Sequence, residues 1–305
     1  MWRGDNVKCF YDLERDIKNY KITDYYLECN FKECYFHYCN NEAFNSILDN
    51  SSFWFTHSDY TNDGMEIKEG KKIIIDCLNE INDLYTEEYK EILLGKIFTL
   101  IQDSYILSFC RNDNSSSMWR DYAGLDGYCI KINIFNMLDF KLQGNIEGEE
   151  LGKYFWIYNG LVLYDDKIKN DKVKKLLNHF GEVYKLFLKG RISEEKFNEL
   201  EFYVTSRLAE FCLFSKDSGW ESEKEYRIVL VAKNNEANIF IKLRTNKYFN
   251  KIPYFNISFR GFEKLIRGVV LGPKNNRCVE DIKLKLENGN YEHWDVKKVD
   301  LSIRF

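Results

Sequence analysis

The residues best placed to do chemistry lie in the stretch Gly219-Trp-Glu-Ser-Glu-Lys-Glu-Tyr-Arg-Ile-Val-Leu-Val-Ala232. It reads as a turn, then a charged segment, then an aliphatic run expected to form a buried strand. Side chains on a strand alternate between faces. Glu221, Glu223, Glu225 and Arg227 are therefore expected on one side, and Tyr226, Ile228 and Leu230 on the other. Like charges at i and i+2 on one face lie only about 7 Å apart and repel unless a cation or a substrate answers them. Two readings follow. The acids form a site, or they sit on an exposed strand end, solvated, with Arg227 paired to Glu225.

Other candidates are more scattered. His37 stands between aromatics where a strand hands over to a helix, a setting for a ligand-holding imidazole or for a hydrogen-bonded core histidine. His57 has no Gly-x-Ser-x-Gly elbow to serve, His179 falls in a helical apolar stripe, and His293 suggests nothing. Neither Gly-x-Gly-x-x-Gly nor Gly-x-x-x-x-Gly-Lys occurs, so a phosphorylated ligand would have to meet arginine forks such as Arg111, Arg120 or Arg227. Asp59, Asp63 and Glu66 either chelate a cation or line a solvated loop. Trp119 and Tyr122 share a helical face, where they plug the core or stack on a planar ring.

The chain has 305 residues with 45% hydrophobic and 16% aromatic content, enough for a substantial core. A net charge of -4 argues against capture of nucleic acid or membrane by global charge. A local groove lined by Lys167, Lys169, Lys172, Lys174 and Lys175 remains open, beside the plainer reading of a solvated helix face. Nine cysteines without a Cys-x-x-Cys pair suggest reduced thiols in a cytoplasmic protein. No signal peptide and no apolar run near the roughly 18 residues of a membrane span are expected.

Strands are expected at 34–39, 51–57, 105–110, 127–134, 155–164, 225–232, 239–243, 255–259, 265–271 and 296–302. Helices are expected at 40–48, 71–83, 86–103 and 279–286, with a helical turn at 118–123. Residues 1–33 read as an irregular or helical lead-in and 58–64 as a loop. Residues 167–217 repeat apolar positions at three and four, broken at Gly190-Arg-Ile-Ser193, and read as an inserted helical hairpin. The expected class is α+β, a mostly antiparallel sheet with helices inserted as blocks, in one domain over 1–305 with the insertion at about 167–217.

Four pieces of this order carry a resemblance. They are Phe36-His-Tyr38; Phe53-Trp-Phe-Thr56 with Asn62-Asp63 and Glu66; Ser108-Phe-Cys110 with Met118-Trp-Arg-Asp-Tyr-Ala123 and Gly127-Tyr-Cys-Ile130; and Trp220 with Glu223-Lys-Glu-Tyr-Arg227. Over roughly residues 34–275 the chain resembles an uncharacterised bacterial domain family with His-Tyr, Asn-Asp-x-x-Glu, Met-Trp-x-x-Tyr-Ala and Glu-x-Glu-x-Arg elements. Gly64 stands where that family often has Pro.

The family is similar in layout to ADP-ribosyltransferases, which implies a split β-sheet that binds NAD as substrate. The resemblance gives Glu225 as catalytic, with Glu223 orienting an acceptor. It also implies that His37, Tyr38, Thr56, Trp119, Tyr122 and Arg227 hold the dinucleotide, His37 at the adenosine ribose and Tyr122 at the nicotinamide ring. A toxin or antiphage effector modifying nucleic acid or protein is the role implied, with an antitoxin or regulator as a further partner, no membrane, and no metal. The alternatives are an NAD glycohydrolase, a nucleotide- or partner-binding module without turnover, and a metal-dependent nuclease using Asp63, Glu66, Glu223 and Glu225.

Overall fold

Period-two runs such as Cys34-Tyr-Phe-His-Tyr-Cys39 become strands, and three-four repeats become helices, in the computed structural model. It describes residues 10–22, 34–61, 66–81, 83–133, 145–245, 250–260, 265–288 and 295–301. The chain opens with helix α1 (Phe10–Lys18), strand β1 (Cys34–Cys39), α2 (Asn41–Asn50), β2 (Ser52–His57), α3 (Glu66–Glu80), α4 (Glu87–Thr99) and β3 (Ser104–Cys110). Next come β4 (Tyr128–Asn133), β5 (Asn145–Ile146), β6 (Glu149–Glu150), β7 (Phe155–Leu161), α5 (Asp166–Leu188) and α6 (Glu194–Leu213). It closes with β8 (Glu225–Ala232), β9 (Lys242–Thr245), β10 (Lys251–Ser258), β11 (Ile266–Leu271), α7 (Val279–Asn288) and β12 (Asp295–Lys298). The class is mixed α and β with a large, mostly antiparallel open sheet; β11 and β12 are a parallel pair.

The chain folds as two compact units. One gathers Met1–Tyr25, Asp63–Gln102 and Leu163–Gly219, and its described elements are the helices α1, α3, α4, α5 and α6. The hairpin expected at 167–217 is α5 and α6, which start on side-chain caps from Asp165 and Ser193 and are joined through Gly190 at φ 62°. Its periodic residues stack on one another, Phe187 on Phe197 at 4.2 Å, and on α4, Tyr184 on Tyr89 at 4.2 Å. No described helix is long and apolar enough to cross a membrane.

The other unit gathers Tyr26–Asn62, Asp103–Val162 and Trp220–Phe305 and holds the sheet. Strand β3 is its spine. Along one edge β3 pairs with β8 over its whole length, from Ser104 opposite Val231 to Cys110 opposite Glu225. The other edge is shared. Strand β1 pairs at one end, Phe36 with Cys110, and β2 at the other, Thr56 with Ile106 and His57 with Tyr105. The sheet therefore forks at residues 107–109, with β1-β4-β11-β12 as one limb and β2-β10, extended by β9 and β5-β6, as the other.

One face of this sheet is apolar. Leu107, Phe109, Tyr226, Ile228, Phe53, Phe255 and Ile130 form its core, covered by α2, whose Phe44 stacks on Tyr128 at 3.8 Å, and by Ile282 and Leu286 of α7. Burying each such side chain contributes about 1.5–3 kcal/mol. The opposite face carries Ser108, Glu225 and Arg227.

Two expectations are corrected. The strand drawn through 239–243 is a 3-10 turn over Asn235–Phe240 followed by β9, because the Asn234 side chain accepts from the Glu236 amide at 3.0 Å and starts a turn. The alternation drawn back from Arg227 to Glu221 stops at Glu225. Ser218–Glu223 is a 3-10 helix, and Lys224 has φ 45°, so the chain turns between the two acids.

Candidate functional site

Glu225 and Arg227 lie on the face of β8 away from the core, where β3 presents Ser108 and Cys110. Arg227 Nε donates to Glu225 Oε1 at 2.7 Å and Nη2 donates to Oε2 at 2.9 Å. Ser108 Oγ donates a short hydrogen bond to the same Oε1. Arg227 is 0% exposed and Glu225 3%, so this is no solvated strand end. The pairing of Arg227 with Glu225 holds; its expected exposure does not. Two parallel N–H···O bonds fix the carboxylate plane as well as its position.

Glu223 reaches the site from the 3-10 turn and is 6% exposed. Tyr122 donates to its Oε1 at 2.8 Å. Lys224, between the acids, is in the left-handed region, which costs a residue with a Cβ about 1–2 kcal/mol. Its carbonyl accepts from the Arg111 amide at 3.2 Å, which holds the bend against the end of β3.

Tyr122 belongs to a π-helical turn, Trp119–Ala123, rather than the ordinary helical turn expected there. Gly124 ends it at φ 76°. Gly127 then passes so close to the Ala123 and Cys39 carbonyls that an added Cβ would sit 2.2 and 2.5 Å from their oxygens. Trp119 is fully buried, donates from Nε1 to the Asp113 carbonyl at 3.0 Å, and packs edge-on to Tyr38 at 5.0 Å. Tyr38 donates to the Asn112 carbonyl at 2.8 Å, and burial pushes its phenol well above the usual range. Trp119 and Tyr38 thus brace the 111–118 loop, while the half-buried Tyr122 keeps some surface.

His37 sits in the fork. Its Nδ1 is 3.0 Å from the Ser108 carbonyl, which can only accept, so Nδ1 carries the hydrogen and Nε2 is the acceptor. The ring lies edge-on to Phe53 and Phe109 at 5.8 and 5.6 Å. Burial pushes its pKa down, against a smaller upward effect of the Ser108 hydrogen bond. The pairs Phe36–Cys110 and Cys110–Glu225 put Phe36 and Glu225 on one face, so His37 projects to the other. Ser108 joins the two, through its carbonyl to His37 and its hydroxyl to Glu225.

Thr56 lies on the far limb of the fork and accepts from Arg244 Nη2 at 3.2 Å. Arg120 is exposed and paired with its neighbour Asp121. His57 accepts from the Asp59 amide at 3.2 Å, starting a short 3-10 turn in place of the expected loop. Asp63 lies outside the described residues, and Glu66 opens α3. Among the described residues no cluster of three or more His, Cys, Asp or Glu side chains is placed to hold a metal.

The lysine groove is not continuous. Lys169 is 0% exposed and bound to Asp166, Glu69 and the Lys216 carbonyl, and Lys174 is paired with Glu80. His179 lines a pocket of about 600 Å³ with Asp16, Tyr20, Lys21 and Asp171, inside the helical unit. Residue-type reasoning does not single out Ser108, although it stands in one of the four pieces named above, and nothing in the sequence points to Arg244.

A family described as a protein of unknown function (DUF2971) matches residues 118–228, just over a third of the chain. The matched stretch begins at the π-helical turn and ends in β8, and so contains Trp119, Tyr122, Glu223, Glu225 and Arg227. It agrees with resemblance to an uncharacterised domain family. No curated protein and no solved structure matches the chain.

Proposed function

We propose that the protein is an NAD-dependent ADP-ribosyltransferase with Glu225 as its catalytic carboxylate. The observation that carries this reading is a buried Glu225, oriented by Arg227 and Ser108, two residues after a buried Glu223 that Tyr122 holds. A sheet that splits beside a histidine and a late-strand glutamate fits the split-sheet layout of ADP-ribosyltransferases.

The chemistry suits these groups. The bond from the ribose C1′ to the nicotinamide nitrogen breaks, its electron pair leaves with nicotinamide, and positive charge builds on the sugar. A carboxylate of fixed orientation facing that charge stabilises the transition state more than the ground state. The acceptor's lone pair then forms the new bond to C1′, and its proton passes to Glu223, which Tyr122 holds in position. His37 lies on the opposite, core-facing side of the sheet from Glu225 and takes no part in this step. The acceptor would be nucleic acid or protein, and the biological role that of a toxin or antiphage effector in the cytoplasm.

A second reading has its own observation. Both Glu225 oxygens are already engaged and the residue is 3% exposed, as in a buried structural ion pair. A module that retains NAD without turnover fits that state. Adenylate-labelled NAD incubated with the protein and a cell lysate tests both. Label in RNA, DNA or protein, falling roughly 10²–10³-fold in Glu225→Gln, is the expected result. Free ADP-ribose alone indicates a hydrolase. Intact NAD, or unchanged turnover in a folded Glu225→Gln, removes the proposal.

A further inference from the structure

The polar face of the sheet also carries Arg244, which no acid among the described residues answers. Arg244 on β9 stands opposite Ile252, which puts its side chain on the face shared by Thr56, Tyr254 and Asn256. Its guanidinium lies over the Trp54 ring, 5.6 Å from the centroid, while the Tyr254 ring packs against Trp54 at 4.8 Å. Nη2 donates to Thr56 Oγ1 at 3.2 Å. Nε is buried without a hydrogen-bond partner, as is Oδ1 of Asn256, which lies opposite Trp54 on β10. No carboxylate among the described residues pairs with Arg244, whereas Lys242 on the same strand holds Glu147 at 2.9 Å. Burial pushes the guanidinium's pKa below its usual value.

A buried donor left unpaired costs about 1–3 kcal/mol, and more when it is charged. A ligand with paired oxygens would meet the half-exposed end of the same guanidinium and offset part of the cost of its burial. The guanidinium fork matches two oxygens of a phosphoryl group, and the indole beneath it fixes its plane. We propose that Arg244, set by Thr56 and Trp54, is a receptor for a phosphoryl group of a nucleoside diphosphate. This deepens the NAD reading, on which the identity of the nucleotide rests. It can be tested without turnover.

Calorimetric titration of the full chain with ADP, pyrophosphate and adenosine makes the test. ADP and pyrophosphate are expected to bind, and Arg244→Gln to weaken both roughly 10- to 100-fold while leaving any adenosine affinity unchanged. Arg244→Lys keeps the charge but loses the fork, and should fall between. That variant carries the test if Arg244→Gln melts early. Equal ADP affinity in the parent and a folded Arg244 variant overturns the proposal, as does a parent that binds neither ADP nor pyrophosphate. Arg244-dependent ADP binding without NAD consumption would leave the subsite standing and remove the transferase reading.

Discussion

Both units bury charge, and they do so differently. In the helical unit Lys169 is 0% exposed, yet its partner Asp166 is 62% exposed and Glu69 17%. One end of that network stays in water, and it serves to tie helices together. In the sheet unit Arg227 and Glu225 are 0% and 3% exposed, so both ends are withdrawn. Withdrawing a pair costs several kcal/mol per ion before attraction returns it, and replacement by apolar residues is often neutral. Burial of charge alone therefore does not mark a site. What separates the sheet pair is its company: a serine hydroxyl on the same carboxylate, a second acid two residues away held by a tyrosine, and a left-handed residue at the bend between them.

The difference can be broken by substitution. The largest effect is expected from Arg227→Met, which leaves the Glu225 charge buried alone and should cost about 3–5 kcal/mol in denaturant unfolding. Lys169→Met leaves solvated acids and one carbonyl short of a donor, so it should cost about 1–2 kcal/mol and leave NAD turnover unchanged. Equal losses in the two would erase the distinction.

Tyr122→Phe sharpens it further. Loss of one hydrogen bond to the Glu223 carboxylate should lower transfer to an acceptor roughly tenfold with little change in melting temperature. If Glu223 acts on the acceptor, NAD hydrolysis should fall less than transfer.

The smallest effect concerns pH. The folded-state pKa of His37 lies below its ordinary 6.5, so the unfolded chain binds more protons there. Its contribution to stability is intact above about pH 6.5 and declines as pH falls through that value toward the folded pKa. Melting temperatures of the parent and His37→Gln measured between about pH 5 and 7.5 should converge toward the acid end. Parallel curves would show that the imidazole titrates as in water.

Much of this was legible in the residues. Period-two runs locate most strands, the cap at Ser193 begins a helix, and the Glu-x-Glu-x-Arg spacing points to the buried Glu225–Arg227 pair. Alternation misled between Glu221 and Glu225, because a single left-handed residue, Lys224, resets the phase and no local pattern announces it. Trp119 and Tyr122 read as one face of an ordinary turn. A π-helical turn redistributes them, so one is sealed in the core and the other meets Glu223. Ser108 and Arg244 gain their meaning only from strand pairing, which brings together residues more than a hundred positions apart.

The fork in the sheet has a mechanical consequence. A continuous ladder resists twisting between neighbours, since every rung must stretch together. Here one register pair ties the first limb to β3 and two tie the second. Torsion of one limb against the other about β3 therefore strains few backbone hydrogen bonds, and the His37–Ser108 contact acts as a cross-brace. Tyr38 stands on one lip of this hinge and Thr56, with Arg244 behind it, on the other. The angle between the two limbs is therefore held by side chains such as His37 more than by backbone rungs, and substitution of His37 is expected to loosen it.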